Sequence, residues 1–246
     1  MTIMEFVGCA STAYGPTAGL FAFTIMKDPI RIIILIASAF FWLLSLLLSS
    51  IIWVCIPSES ALFLGVIFSV ILQEIFRYLL YIVLQKVEKG LKKVYIPNTN
   101  TEITNNRHIL AYVAGLGFGV MSGAFSLANV LAEVIGPGTM KSEGGSEYFC
   151  LVSSIFTIIF TLLHTLWSVI FFNSIENKNY ALLSWVVGSH LAVSCLTLLN
   201  QQSMYLATLL PGCITLVITL YLAFRVWGGS CHRGLCRHQN IVPNLN

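Results

Sequence analysis

The chain contains seven long stretches that are almost free of charge, and no other feature of the sequence limits its fold as much. A helix needs about 20 apolar residues to cross about 30 Å of membrane hydrocarbon. Seven segments are long enough, and they are residues 6–26, 32–56, 61–85, 109–132, 148–175, 180–199 and 204–224. The strands of a membrane barrel are shorter and alternate between apolar and polar residues. The sequence therefore predicts an all-α membrane protein built as a bundle of seven transmembrane helices.

The composition excludes the main classes of water-soluble protein. Of the 246 residues, 57% are apolar and only 9% are charged, whereas about a quarter of the residues in a soluble domain are charged. The net charge of +3 is spread over several loops and gives no basis for nucleic-acid binding. The seven cysteines lack the spacing of metal ligands, and five of them adjoin apolar runs, as small hydrophobic residues do. We therefore expect contact with membrane lipid, no cofactor, no nucleic acid and no small-molecule substrate.

The distribution of basic residues predicts the orientation of the bundle. Lysine and arginine accumulate in cytoplasmic loops, and 11 of the 13 basic residues fall in the odd-numbered connections and the C-terminal tail. The N-terminus is therefore expected in the lumen or outside the cell, and the C-terminus in the cytosol. No connection is large enough to fold alone, so we expect residues 1–229 to form one seven-span domain and residues 230–246 a short cytosolic tail. In that tail, Cys231 and Cys236 leave palmitoylation and plain exposure open.

The fourth apolar stretch carries three glycines at intervals of four residues, Gly115, Gly119 and Gly123. Residues four apart lie on one face of a helix, so the missing side chains form a groove where another backbone can come close. Such close packing replaces the hydrophobic driving force that is absent between helices in lipid. Two occupants of the groove are open, a helix of this chain and a helix of another subunit, and we favour the second. A polar stripe that we expect to face protein or water lies beside the groove and comprises Ser122, Ser126, Asn129 and Glu133.

Four ionisable side chains lie inside the predicted spans, where charge is costly and by default indicates function. Glu74 and Arg77 are three residues apart in the third stretch, so they share a helix face and can neutralise each other. His164 and His190 lie in the fifth and sixth stretches, which a short turn makes antiparallel neighbours. At 1.5 Å per residue, Glu74 and both histidines lie about 15 Å from the predicted cytosolic boundary. We therefore expect them in one polar layer, and Gly119 lies at the same depth.

Two functions of this layer are open. In the first, it is a polar pocket that locks the helices together. In the second, two histidines and one glutamate hold a divalent ion or activate a water. The sequence has no helical zinc motif such as H-E-x-x-H, and its only aspartate is Asp28, in a loop, so a pair of catalytic aspartates is excluded. We therefore favour the structural function.

Nine short motifs are spread along the chain to about residue 229 and form a recognisable set. They are Phe6-Val-Gly-Cys-Ala, Tyr14-Gly-Pro16, Asp28-Pro-Ile-Arg-Ile-Ile, Ala39-Phe-Phe-Trp-Leu, Gln73-Glu-Ile-Phe-Arg77, Ala114-Gly-Leu-Gly-Phe-Gly119, Gly136-Pro-Gly138, Leu163-His164 and Gly188-Ser-His190. In these motifs the chain resembles the anterior-pharynx-defective family, the multispan subunit of gamma-secretase. Residues 93–106 and the last residues of the chain are least alike.

The resemblance implies a seven-span protein with a lumenal N-terminus that is not itself a protease. It implies a scaffold that pairs first with nicastrin and then accepts presenilin, which carries the catalytic aspartates, and the presenilin enhancer, so that the complex cleaves type I membrane proteins. By the same resemblance, the three glycines serve assembly, and the two membrane histidines serve assembly and activity. The family is also distantly similar to intramembrane proteases that process prenylated proteins. By that similarity, five residues are possible remnants of an older active site: Glu74, Arg77, Asn129, His164 and His190. Gln73, however, occupies the position where those proteases have a second glutamate.

One functional expectation and two rivals follow. We expect a non-catalytic scaffold subunit of gamma-secretase, located in the endoplasmic reticulum, the Golgi and the plasma membrane. The first rival is an intramembrane glutamate or metal-type protease that uses Glu74, His164 and His190. The second rival is a receptor or transporter. The short loops and the position of Arg77 inside the membrane disfavour a receptor, and the lack of a visible internal repeat disfavours a transporter.

Overall fold

The computed structural model describes residues 3–54, 62–91, 107–135, 149–202 and 204–239. Within these ranges the long elements are α1 (Ile3–Thr24), α2 (Pro29–Val54), α3 (Leu62–Leu91), α4 (Arg107–Ile135), α5 (Phe149–Glu176), α6 (Tyr180–Leu196) and α7 (Tyr205–Gln239). A short 3₁₀ helix, Thr197–Gln202, lies between α6 and α7. Each α-helix coincides with most of one of the seven predicted apolar stretches, so the prediction of an all-α fold is confirmed for the described residues.

Six segments are long and apolar enough to cross a membrane. Five lie in α2, α3, α4, α5 and α7, and the sixth, Tyr180–Leu199, comprises α6 and the start of the 3₁₀ helix. The chain is therefore an integral, multi-pass membrane protein. The first helix, α1, has 22 residues but includes Pro16 and several glycines, serines and threonines, and it is not among the six. The seventh span, the lumenal N-terminus and the cytosolic C-terminus stay predictions.

The helix ends differ from the predicted spans mainly at α7. This helix continues to Gln239, ten residues beyond the predicted end of the seven-span domain at residue 229, and the division into domain and tail stays a prediction. The side chains of Cys231 and Cys236 lie outside the described part of the chain, as do Cys55 and the motif at 136–138.

The fifth helix forms the centre of the bundle. In its membrane segment 72% of the residues are buried, against 22% in the corresponding segments of α2, α6 and α7. It packs against α1, α4, α6 and α7, while α2 packs on α3 and α4, and α3 packs on α6. Trp167, Leu163 and Ile170 on α5 are completely enclosed and meet Phe118 of α4 in the main apolar core. A side chain on α5 can therefore reach neighbours on several sides at once.

The turn between α5 and α6 makes these helices antiparallel neighbours, as predicted. Lys178 has a positive φ of 52°, a left-handed conformation that commonly ends helices. The backbone N–H of Asn179 then donates to the carbonyl of Ser174 at 2.9 Å. The side chain of Asn179 in turn caps α6 by accepting from the backbone N–H of Leu182. Two helix ends are thus completed within a few residues, which fixes the close pairing of α5 and α6.

A disulfide joins the first helix to the fifth. Cys9 of α1 and Cys150 of α5 are bonded, with their Cα atoms 6.3 Å apart. Both lie in a small apolar cluster with Ala13 and Leu127. The interpretation of Cys9 and Cys150 as small hydrophobic residues only is therefore wrong for this pair. Their apolar surroundings gave no sign of a bond between residues 141 positions apart.

We expect Cys9 and Cys150 to resist alkylation in denatured membranes until a reductant is added. Disulfides persist in oxidising compartments, and both residues lie near the predicted lumenal side. Mass spectrometry of peptides alkylated before and after reduction measures the change. Cys9→Ser should leave Cys150 alkylated without reductant, while the control Cys213→Ser should leave the pair protected. Equal alkylation of Cys150 and the free Cys195 before reduction would contradict the bond.

Candidate functional site

The four ionisable side chains that the sequence analysis singled out inside the membrane lie together. Glu74 and Arg77 come from α3, one turn apart, and they meet His164 of α5 and His190 of α6. All four are buried, with Arg77 fully enclosed and Glu74 7% exposed. We call these four residues the polar cluster. It joins three helices, one of which is the central helix of the bundle.

The contacts within the polar cluster form a chain of alternating partners. Glu74 Oε1 lies 2.7 Å from His190 Nδ1 and 3.3 Å from Arg77 Nη1. Arg77 Nη2 lies 2.8 Å from His164 Nδ1. The two imidazole rings are nearly perpendicular, with centroids 5.0 Å apart. The order His164–Arg77–Glu74–His190 therefore connects α5 to α6 through the two charged groups of α3.

The partners determine where the histidine protons are. A guanidinium has only donors, so Nδ1 of His164 accepts from Arg77 and the proton of this ring is on Nε2. A carboxylate has only acceptors, so Nδ1 of His190 donates to Glu74. Since Glu74 and Arg77 already balance each other, a further proton on either ring would leave a buried net charge, which is costly. The cluster is thus best described as one ion pair flanked by two neutral imidazoles of opposite tautomer.

Aromatic rings enclose the polar cluster. The indole of Trp167 stacks on His190 with centroids 4.5 Å apart, and its N–H donates to the hydroxyl of Ser189 at 2.9 Å. The Arg77 guanidinium lies 5.4 Å from the ring centre of Phe118 and 6.0 Å from that of Phe171, within the range of cation–π attraction. The sequence analysis did not identify Trp167, although a tryptophan three residues after His164 lies on the same helix face.

The polar cluster does not have the geometry of a metal site. Among the described residues, no group of three histidine, cysteine, aspartate or glutamate side chains could hold a metal ion. Arg77 occupies Nδ1 of His164, and Glu74 uses one oxygen for both of its partners. Within the described chain, Glu74 Oε2 and Arg77 Nε and Nη1 make no hydrogen bond, so the contact of Nη1 with Glu74 is an ion pair without a hydrogen bond. The geometry is that of a neutralised pair held between two imidazoles.

The three glycines of the predicted groove face α5. A Cβ atom at Gly119 would lie 2.5 Å from the backbone oxygen of Thr161, and one at Gly115 would lie 2.7 Å from that of Thr165. At Gly123 the nearest atoms belong to Thr161 and to Thr157, at 2.9 and 3.0 Å. Real Cβ atoms are almost never closer than 3.0 Å to such neighbours. We call this line of contact between α4 and α5 the glycine seam.

Threonines on α5 repeat with the same four-residue period as the glycines. The hydroxyl of Thr161 donates to the carbonyl of Thr157 in its own helix at 2.8 Å, and that of Thr165 donates to Thr161 at 2.8 Å. Thr157 likewise bonds back to Ser153. These local bonds hold the hydroxyls against their own helix, so the backbone of α5 can approach α4. Two of the hydroxyls also reach α4: that of Thr161 lies 3.2 Å from the carbonyl oxygen of Gly119, and that of Thr157 lies 3.3 Å from the hydroxyl of Ser126. The pattern T-x-x-x-T-x-x-x-T at 157–165 was the sequence signal that could have indicated the opposite side of the seam.

The occupant of the groove is therefore a helix of this chain, α5, and the expectation that a helix of another subunit fills the groove is wrong. A fourth glycine, Gly117, faces the opposite direction, where a Cβ would lie 2.6 Å from the backbone oxygen of Leu35 on α2. In the predicted polar stripe, the hydroxyl of Ser126 donates to the carbonyl of Gly123 at 3.0 Å, and Ser122 lines a cavity. The side chains of Asn129 and Glu133 lie outside the described residues.

Comparison with known proteins identifies close relatives of this chain. Residues 4–230 match the family model described as Aph-1 protein. Gamma-secretase subunit Aph-1 of Drosophila melanogaster is 53% identical over 230 residues, which cover 94% of this chain and 95% of that protein. Gamma-secretase subunit APH-1B of Homo sapiens is 41% identical, with 98% and 97% covered. Gamma-secretase subunit APH1-like of Arabidopsis thaliana is 32% identical, with 90% and 89% covered.

We expect Gly119→Ala to destabilise the purified chain by about 1–3 kcal/mol, because the added methyl group overpacks the glycine seam. Gly188→Ala is the matched control, since a Cβ there meets nothing within 4 Å, and alanine favours a helix over glycine by about 1 kcal/mol. Thermal unfolding in mild detergent should show a lower midpoint for Gly119→Ala and an unchanged or higher one for Gly188→Ala. Equal midpoints for the two variants would contradict the seam.

We expect a strong energetic coupling between Glu74 and Arg77. Removing one partner of a buried ion pair costs about 3–5 kcal/mol, because it leaves an uncompensated charge. The destabilisations caused by Glu74→Gln and by Arg77→Met should therefore add up to more than the destabilisation of the double variant. Denaturant unfolding of the four proteins should give a coupling energy of about 1–3 kcal/mol.

The ion pair of Asp28 and Arg31 provides the control for this cycle. It has the same three-residue spacing, but its side chains are 24% and 27% exposed, and pairs in contact with solvent contribute about 0–1 kcal/mol. The cycle of Asp28→Asn and Arg31→Met should accordingly give a coupling energy below about 1 kcal/mol. A coupling for Glu74 and Arg77 no larger than this control would show that the buried pair is not a structural unit.

Proposed function

The chain belongs to the Aph-1 family, and on this premise we propose that it is a non-catalytic scaffold subunit of a gamma-secretase complex. The relatives that carry the proposal are named as gamma-secretase subunits and align with almost the whole chain. Its partners are expected to be nicastrin, presenilin and the presenilin enhancer. Its location is expected to be the endoplasmic reticulum, the Golgi and the plasma membrane.

The observation that best supports a scaffold is that the costly polar groups are bound within the chain. The polar cluster joins α3, α5 and α6, and the glycine seam joins α4 to α5. Large apolar side chains remain on the outer faces of α2, α3 and α7, among them Phe40, Phe68 and Phe224. The polar cluster and the glycine seam thus fix the relative positions of the helices, and with them the shape of the outer surface that contacts lipid and partner helices. We propose that this fixed shape positions the catalytic subunit.

The aspartate content also supports a non-catalytic subunit. An intramembrane aspartyl protease needs two aspartates that share a proton, and this chain has one aspartate, Asp28. Asp28 precedes α2, where its carboxylate accepts from the backbone N–H of Ile30 at 3.0 Å and pairs with Arg31. The function of Asp28 is thus to begin a helix. The aspartates of the proposed complex must belong to another subunit.

The glycine seam is proposed to act on assembly through the packing of this chain. Because α5 occupies the groove, a side chain at Gly119 would push α5 away from α4. Such a shift also moves His164, which α5 carries into the polar cluster. A single substitution in the seam would therefore alter the outer faces on both sides of α5, and partner helices would lose a fitted surface.

An intramembrane glutamate protease is the second candidate function. The specific observation in its favour is the 2.7 Å contact of Glu74 Oε1 with His190 Nδ1, since a carboxylate that orients a histidine is a frequent part of general-base sites. The pairing of the same carboxylate with Arg77 disfavours this use. The purified chain would have to cleave a membrane substrate alone, and Glu74→Gln would have to stop the cleavage.

We expect tagged chain purified from native membranes in mild detergent to retain nicastrin and presenilin, and Gly119→Leu to lose most of the presenilin. Leucine adds four carbons to a seam that has no space for one. Quantitative mass spectrometry of the bound subunits is the measurement. Gly188→Leu is the matched control, because its position is open in the isolated chain, and we expect it to retain more presenilin than Gly119→Leu.

Two outcomes would contradict the scaffold proposal. One is a Gly119→Leu variant that inserts normally and retains the full set of subunits. The other is proteolysis by the purified wild-type chain in the absence of any other subunit, which would favour the glutamate protease.

A further inference from the structure

A polar cavity lies between α3, α4, α5 and α6. Its volume is about 360 Å³, within the range of small-molecule sites. Among its lining residues, six carry hydroxyl groups, and they are Ser69, Ser122, Ser126, Ser153, Ser194 and Thr197. The amide of Gln73 and the rings of Phe156 and Phe160 complete much of the wall. The wall of the cavity therefore offers several groups that can donate or accept a hydrogen bond.

The cavity runs from the polar cluster toward the predicted lumenal side. His164 and His190 line its inner end. Along α5 it reaches Ser153, eleven residues from His164, and along α6 it reaches Thr197, seven residues from His190. At 1.5 Å per residue these distances are about 16 and 10 Å. The two imidazoles are therefore the floor of a cavity that leads away from the middle of the membrane.

The floor presents one hydrogen-bond donor and one acceptor. Because Nδ1 of His164 accepts from Arg77, its Nε2 carries the proton and is a donor. Because Nδ1 of His190 donates to Glu74, the Nε2 of that neutral ring is an acceptor. Within the described chain, neither Nε2 atom has a hydrogen-bond partner, and His164 and His190 are each only 1% exposed. A donor and an acceptor thus belong to two adjacent rings, whose centroids are 5.0 Å apart.

We propose that this cavity binds a small neutral molecule whose polar group both accepts and donates a hydrogen bond, such as a primary carboxamide or an alcohol. The oxygen of the ligand accepts from Nε2 of His164, and its N–H or O–H donates to Nε2 of His190. The hydroxyls of the wall can each donate or accept and serve further polar groups, while Phe156 and Phe160 contact the carbon skeleton.

Ions are poor ligands for the same floor. An anion has no proton for Nε2 of His190, and that ring is bound to the carboxylate of Glu74. A cation has no acceptor for the proton on Nε2 of His164, and the Nδ1 of that ring is bound to the guanidinium of Arg77. Among the described side chains, none that lines the cavity is charged, so these residues would neutralise neither kind of ion. The specificity is therefore for a neutral donor–acceptor pair, which is a ligand class the sequence analysis did not expect.

Acetamide is the probe for this site. The full chain, with its histidine rings labelled with ¹⁵N, is placed in lipid nanodiscs and titrated while the ring nitrogen resonances are recorded. We expect saturable shifts of Nε2 in both His164 and His190 with one common dissociation constant. His108, whose ring stacks on Trp227 outside the cavity, is the internal control and should not shift.

Two molecules of similar size separate the proposed chemistry from general binding. N,N-dimethylacetamide keeps the carbonyl oxygen but has no N–H for His190, and acetate replaces the donor by a charge. We expect each to bind at least about tenfold more weakly than acetamide, which corresponds to the loss of about one hydrogen bond. Ser122→Leu should abolish the acetamide shifts by filling the cavity, while Ser184→Leu on the exposed face of α6 should preserve them.

The absence of a saturable acetamide shift in the wild-type chain would overturn the proposal, and so would equal binding of N,N-dimethylacetamide. The comparison of probes needs no variant, so it decides the question even if Ser122→Leu does not fold. The result is independent of gamma-secretase assembly, because it is measured on the isolated chain. Failure of one proposal therefore leaves the other standing.

Discussion

The buried ion pair of Glu74 and Arg77 is the constraint to which the rest of the bundle conforms. Two opposite charges in a membrane are tolerable only when they neutralise each other. Here each charge is extended by one imidazole, so the pair reaches from α3 to both α5 and α6. The three helices must then keep one relative height and rotation. The depth, spacing and tautomer of the two histidines all follow from that requirement.

The glycine seam meets a second requirement, which is adhesion without a hydrophobic driving force. Between helices in lipid, contact must come from close packing, and the seam achieves it by matching glycines on α4 with threonines on α5. The hydroxyl of Thr161 donates within its own helix and lies 3.2 Å from the carbonyl of Gly119. A leucine at that position would hold the backbones apart. The seam and the polar cluster share α5, so an error in either changes the position of the same helix.

Much of this arrangement could be predicted from the sequence, for physical reasons that also show where prediction stops. The seven helices follow from the length of the apolar stretches, and the common depth of Glu74, His164 and His190 follows from the rise of a helix. The depth of a residue in the membrane does not determine how its helix is rotated about its axis. The hydrogen bond between Arg77 and His164 could therefore not be predicted. The occupant of the glycine groove depends on which helices are neighbours, and the sequence does not give this. The threonine repeat of α5 indicates the contact only once α5 is known to lie against the glycines of α4. The bond of Cys9 to Cys150 joins two helices that the apolar pattern leaves unrelated.

The polar cluster and the cavity place compatible demands on the same two rings. An imidazole has two nitrogens, and in a neutral ring the choice of donor on one side sets the acceptor on the other. The hydrogen bonds from α3 to α5 and α6 already require Nδ1 of His164 to accept and Nδ1 of His190 to donate. A neutral ligand that accepts from the first ring and donates to the second uses these same tautomers, so its binding adds to the bonds that hold the helices. A ligand that needed the opposite tautomers would have to break the contacts with Arg77 and Glu74. The chemistry of the cavity floor is therefore a consequence of how the charges of α3 are neutralised.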